Sequence, residues 1–241
     1  MDVHAIPGLE HEPYAEVWFR AIDDAAWREA SDRARALGKT GLEAWTTDET
    51  PEVVAFLAAR GYDEVRRYVI SELDVAAAPA PETPRFEIVT LAERPKLAEA
   101  LHRVALESYP DQPGRAGSSI GALAAWRSWS LDPNPPEACF VAVEGGEVLG
   151  YGYLAQEDGR WTHGFAAVAR AQRGRGVAGA LKRAQIAWAQ ANGIRAVRTA
   201  TETRLSQMRA LNARFGYRPL YEEIVLRGPL AEDDSLISAD N

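Results

Sequence analysis

Phe165-Ala166-Ala167-Val168, then Ala169-Arg170-Ala171-Gln172, then Arg173-Gly174-Arg175-Gly176-Val177-Ala178-Gly179 is the stretch whose reading decides the fold. The first four residues read as a short apolar strand. A helix is predicted from about Val177 to Ala191, because Val177, Leu181, Ala184, Ile186 and Trp188 roughly follow a helical period. Gly193 stands where a C-terminal cap belongs. Strand, glycine-rich turn and helix start therefore follow one another. Such a turn leaves backbone N–H groups unpaired at the positive end of a helix dipole. Glycines let a phosphate approach the backbone, and a helix start favours anions. Arg170, Arg173 and Arg175 add positive charge at the same place, so the turn reads as a pyrophosphate-binding one.

Gly174-x-Gly176-x-x-Gly179 also satisfies a dinucleotide fingerprint, with Glu202 near the place of a ribose-binding acid. That reading needs several further strand–helix units after the turn. Only about 40 residues follow Glu202, and the additional strands come before the turn instead. Nor does a Lys-Ser/Thr pair follow the glycines, as a nucleoside triphosphate loop requires.

The longer pattern Arg173-x-x-Gly176-x-Ala178, five residues after Val168, resembles the acetyl-CoA motif of the GNAT-superfamily N-acetyltransferases, with agreement from about Phe86 to Arg227. The resemblance implies an α+β fold in which helices flank a mixed, mostly antiparallel sheet. It implies acetyl-CoA as co-substrate, lying where two neighbouring strands splay apart. Ala166 and Val168 would offer backbone groups to the pantetheine arm and thioester. Arg173, Gly174, Arg175, Gly176, Val177, Ala178 and Gly179 would hold the pyrophosphate. Many members carry a tyrosine four residues before the glycine that ends the last helix; here Asn212 stands there. An asparagine is no proton donor, but its amide can hydrogen-bond the cofactor. His163 and Glu202 are the candidates for relaying a proton from the attacking amine. Tyr109, Trp126, Trp129 and Tyr153 are the substrate-side aromatics, with Tyr151 beside them, although Trp126 and Trp129 equally suit a core. The implied reaction is acetyl transfer to a small-molecule amine by direct attack in a ternary complex. The alternative is a non-catalytic acyl-CoA-binding or regulatory module.

The chain has 241 residues, 46% of them hydrophobic and 26% charged, with net charge −8. Acidity disfavours nucleic acid and anionic membranes as partners. The four histidines (His4, His11, His102, His163) lie far apart and Cys139 is the one cysteine, so no metal constellation forms. Cys139 lies in an apolar strand and reads as a buried thiol. With no intrachain disulfide available, no secretory signal at Met1-Asp2-Val3-His4 and no long apolar run, a cytoplasmic protein is the expectation.

Four segments are expected: 1–76, a Pro/Ala linker at 77–84, the acetyltransferase domain at 85–230, and a flexible acidic tail at 231–241. Residues 1–22 show no clear period. After them come a helix capped by Asp23 or Asp24, a strand from Thr40 to Thr46, a helix opened by Pro51, and a strand from Tyr62 to Val75. This segment reads as a degraded copy of the chain's end. Helix-ending glycines Gly38 and Gly61 correspond to Gly193 and Gly216 at one offset, since 193 − 38 = 155 and 216 − 61 = 155. Carried back, the glycine turn falls on Trp18 to Asp23, where no phosphate could approach. A partial second unit without a cofactor site is expected, packing on the working domain or in a homodimer. In the second half, a hairpin around Gly145-Gly146 and a loop from Gln156 to Arg160 precede the glycine turn. A strand from Ala196 to Thr201, a helix from Ser206 to Phe215 and a strand from Tyr221 to Leu226 follow it.

Overall fold

The computed structural model describes residues 2–6, 10–79, 83, 85–157 and 159–232. Most of the expected tail and part of the Pro/Ala linker lie outside them. The described residues form two compact units, one running to Tyr68 and resuming at Tyr221, the other spanning Val69–Leu220.

The first unit contains β1 (Val3–Ala5), β2 (Tyr14–Trp18), α1 (Asp24–Ala36), β3 (Gly41–Thr47) and α2 (Pro51–Ala58). It also takes the first half of β4 (Asp63–Asp74) and most of β10 (Arg218–Pro229). Its strand order is β1-β2-β3-β10-β4. Side chains alternate across a strand, so Leu42 and Ala44 meet Ala30, Ala34, Val53 and Leu57 on the helical face. On the other face Glu43 is buried against Arg66 at 2.5 Å and Arg227 at 2.8 Å. Trp45 stacks there between Trp18 and Tyr68, with ring centroids 5.3 and 5.5 Å away. Residues 1–22, unreadable by period, supply β1 and β2; each is too short to show an alternation against its flanks.

In the second unit β5 (Glu87–Thr90), β6 (Cys139–Glu144), β7 (Glu147–Glu157) and β8 (Arg160–Val168) are successively antiparallel. β9 (Ala196–Glu202) runs parallel to β8, and β4 from Val69 onward lies on its far side. Helices α3 (Ala98–Ser108) and α4 (Leu123–Ser130) cover one face with a core that includes Leu101, Trp126, Val141 and Tyr151. Helix α5 (Val177–Ala191) covers the other, burying Val177 and Leu181 against Phe140 and Leu149; α6 (Ser206–Arg214) follows β9. The α+β architecture expected from the resemblance is the one present.

Two boundaries differ from expectation. The predicted loop at Gln156–Arg160 is tighter, because β7 continues to Glu157 and Gly159 turns the chain at φ +74°. The last strand is longer than Tyr221–Leu226 and begins at Arg218. The offset of 155 carries β3 at 41–47 onto β9 at 196–202 and β4 at 63–74 onto β10 at 218–229, while α1 carried by it starts two residues inside α5. Each unit is completed by the wrong copy. β3 pairs with β10, whereas β9 neighbours β4, so the equivalent last strands are exchanged.

Candidate functional site

The site grows from a disagreement between two parallel strands. β8 and β9 pair only at Trp161↔Val197 and Thr162↔Arg198. Beyond Thr162 the edge of β8 that faces β9 has no ladder partner among the described residues; the Val168 carbonyl accepts instead from Ser108 Oγ at 3.3 Å and Arg173 Nε at 3.2 Å. A bulge sits at the same point. Register with β7 passes from Gly152↔Ala166 to Leu154↔His163, so Gly164 and Phe165 together oppose Tyr153. Bulges re-aim side chains and end pairing. Glycine is required at 164, since a Cβ there would lie 2.0 Å from the Tyr153 ring.

At the C-terminal end of β8 the chain turns through Arg170–Gln172 into α5. Gly176 is the N-cap residue, at φ +87°, and no side chain caps the helix. Among the described residues the amides of Val177, Ala178 and Gly179 have no acceptor. Added Cβ atoms at Gly174 and Gly176 would meet nothing within 4 Å. Left-handed backbone, open space and unpaired amides are the features a diphosphate needs. In the first unit α1 starts differently: the Asp23 carboxylate takes the Ala26 amide at 2.8 Å.

The three arginines are engaged. Asp111 bridges Arg170 and Arg173, each at 2.7 Å, and Arg175 reaches Glu144 at 2.7 Å. Guanidinium hydrogen bonds, from Arg170 first and Arg173 second, hold the Asp111 carboxyl down to about 2. Two carboxylates, of Asp111 and Glu144, thus answer the three guanidinium groups.

Behind the opening, His163 and Tyr217 share a short hydrogen bond between Nε2 and the phenol oxygen. Burial first, then the nearby Lys182 charge, pull the His163 pKa well below its ordinary value; a hydrogen bond donated to Gln185 opposes them. Burial raises the Tyr217 pKa. Lys182 and Gln185 reach this cluster from α5, both buried. A cavity of about 400 Å³ beside it is walled partly by Thr201, Asn212 and Tyr217. Asn212 is 4% exposed. Its Nδ2 donates to Thr201 Oγ1 at 2.9 Å, and its Oδ1 has no partner among the described residues.

The other expected residues disperse. Thr201 turns toward α6, so its neighbour Glu202, 3% exposed and 2.5 Å from Arg204, faces the opposite side of β9. Glu202 and His163 are not brought together. Tyr109 and Tyr153 are buried in the core under α3 and α4, and Trp126 is 0% exposed against Tyr151. Trp126 therefore presents no surface to a ligand; Trp129, at 40% exposed, does. Cys139 is buried, its thiol pushed up to about 12 by desolvation. No group of metal-binding side chains forms among the described residues, and no helix among them is long and apolar enough to cross a membrane.

Asp111, Gly164 and Lys182 escaped the sequence reading. Lys182 left a trace: it stands four residues before Ile186, inside the apolar stripe of α5.

The sequence profile described as the acetyltransferase (GNAT) family matches residues 97–217, which is 121 of the 241 residues. Among solved structures, a GCN5-related N-acetyltransferase from Sphaerobacter thermophilus superposes with a TM-score of 0.74 at 19% identity, over 96% of this chain and 76% of that one. A tandem GNAT protein from the clavulanic acid biosynthesis pathway gives 0.67 at 20% identity, over 92% and 77%. No curated protein matches the chain.

Proposed function

The chain belongs to the GNAT acetyltransferase family, whose members transfer acyl groups from acyl-CoA, and on that premise we propose that it acetylates a small-molecule amine from acetyl-CoA. The observation that carries the reading is the bare start of α5, with Gly176 in the left-handed region beside the open edge of β8. The diphosphate would lie on the amides of Val177 to Gly179. Arg173 and Arg175 would trade Asp111 and Glu144 for phosphate oxygens. The pantetheine arm would add to the edge of β8 at Ala166 and Val168, taking the place of Arg173 Nε at the Val168 carbonyl, and the unpaired Asn212 Oδ1 would accept one of its amide protons.

Acetyl-CoA supplies a thioester carbonyl already activated toward an amine. The chain's part is orientation, a strand N–H near the carbonyl oxygen, and proton handling. Asn212 cannot donate a proton as a tyrosine would. His163, held neutral, can accept one; Glu202 is limited by its Arg204 pairing and its face of the sheet. The first unit takes no coenzyme in this reading, since Asp23 caps the start of α1.

One observation favours a non-catalytic coenzyme-binding role: both base candidates are already engaged, His163 by Tyr217 and Glu202 by Arg204. Titrating acetyl-CoA into the wild type and Gly176→Val, then following thiol release over an amine panel, decides between them. Binding lost in the variant with its fold intact supports the site. Equal affinity in the two proteins refutes it. Binding without thiol release on any amine leaves only the non-catalytic reading.

A further inference from the structure

Lys182 is a buried cation without an anion. It is 8% exposed, and among the described residues no carboxylate pairs with it. Its Nζ lies 4.5 Å from the centroid of the Tyr217 ring. The groups facing it are His163 from β8, Gln185 from its own helix, and Tyr217 after α6. Further along, α5 covers Phe86 just before β5, Phe140 on β6 and Leu149 on β7, all apolar.

An ammonium in such a place costs several kcal/mol unless something charged answers it. A methionine would fill the same volume at no such cost. Three features point to what answers it. The charge projects from α5 at the level of His163, where β8 and β9 have just parted. The ring it rests on lines the same cavity as Asn212. The usual tyrosine proton donor is absent from position 212.

We propose that Lys182 is a catalytic residue, its ammonium facing the sulfur of the bound coenzyme, stabilising the departing thiolate and returning a proton to it. The proposal rests on the acetyl-CoA reading above. In that step the neutral amine forms its bond to the carbonyl carbon while the carbon–sulfur bond breaks, its electron pair staying on sulfur. A proton moves from Lys182 Nζ to sulfur, giving free CoA. The proton lost by the acceptor nitrogen leaves to water through the opening, and Lys182 takes one back from water. Desolvation brings the Lys182 pKa from 10.5 to about 7, below an ordinary thiol near 8.5, so the transfer to sulfur runs downhill.

The test needs no acceptor substrate. CoA and desulfo-CoA, which carries hydrogen in place of the thiol, are titrated calorimetrically into the wild type and Lys182→Met between pH 6 and 9. The wild type is expected to prefer CoA by about tenfold or more, the value of one charge-assisted contact. In Lys182→Met the preference vanishes while desulfo-CoA binds as before. An equal preference for CoA in both proteins overturns the role of Lys182 but leaves the coenzyme site standing. Failure of the wild type to bind either compound overturns the coenzyme reading, and this proposal with it.

Discussion

Lys182→Met tests the burial of that cation through stability alone, independently of any coenzyme. The folded-state pKa is depressed from 10.5 to about 7 by desolvation. Between those values the unfolded chain holds a proton that the folded chain has given up. Stability therefore rises with pH across the window, is fully present above 10.5, and is lost as pH falls toward 7. Each tenfold loss of proton affinity is worth about 1.4 kcal/mol, so the whole window amounts to about 5 kcal/mol. The accessible part, from pH 7 to 9, amounts to about 3 kcal/mol. Methionine keeps the volume and does not titrate. Urea unfolding of both proteins at several pH values gives the difference directly: the variant should be more stable at pH 7, with its advantage shrinking by about 3 kcal/mol by pH 9. His163 titrates below this window and does not contribute within it. Parallel stability curves for the two proteins would refute the argument, because they would show that Lys182 is charged, and answered by something, in the free protein.

Asp111→Asn releases Arg170 and Arg173; acetyl-CoA should bind about threefold to fivefold more tightly by calorimetry, the scale of exposed ion pairs, and weaker binding would mean that Asp111 positions the arginines rather than competing with phosphate. Gly164→Ala forces a Cβ into the Tyr153 ring, 2.0 Å away, and should cost about 3 kcal/mol in urea unfolding; an unchanged midpoint would show that the bulge yields freely. Glu43→Gln leaves Arg66 and Arg227 facing a neutral amide in a buried network, and a loss of about 3 kcal/mol is expected in thermal or urea unfolding; a neutral effect would show that water enters that face.

The glycine turn and the helix after it were legible because their requirements are local. Gly174 and Gly176 occupy the left-handed region, at φ +77° and +87°, and a sequence shows a glycine openly. The repeat was legible for the same reason: Gly38, Gly61, Gly193 and Gly216 end helices by one mechanism, all at positive φ. The exchange of β4 and β10 was not legible, since two strands of the same pattern carry no label for the neighbour each will take. Nor was the engagement of the arginines. Asp111 is about sixty residues away in sequence, and nothing near Arg170 announces it. The burial of Trp126 was not legible for a related reason. Burial of Trp126 against Tyr151 depends on which face of α4 meets the sheet, and an eight-residue helix with an alanine pair and two tryptophans does not fix that by period alone.

The two helix starts differ in whether their first amides are satisfied from within the chain. Both α1 and α5 follow a strand parallel to its neighbour in the sheet, and both begin with orphan amides of the same polarity. In α1 a carboxylate satisfies one of them from within, a cap worth about 1 kcal/mol to the helix. In α5 a glycine occupies the cap, contributes no side-chain hydrogen bond, and stands in a conformation that disfavours side chains. That start is less stable by itself, and it makes sense where something else completes the amides. The two starts differ at the cap as well as along the turn before it: Asp23 closes the first with the same charge that a phosphate would bring to the second. Replacing Gly176 by aspartate should therefore do two things together. It should supply the missing cap, offset by the strain of a left-handed non-glycine residue, and it should exclude the diphosphate by occupying its amides. A Gly176→Asp protein that keeps its melting temperature within a few degrees and loses acetyl-CoA binding in calorimetry would show that the amides, rather than the arginines, hold the coenzyme. Binding that survives would shift that role to Arg173 and Arg175.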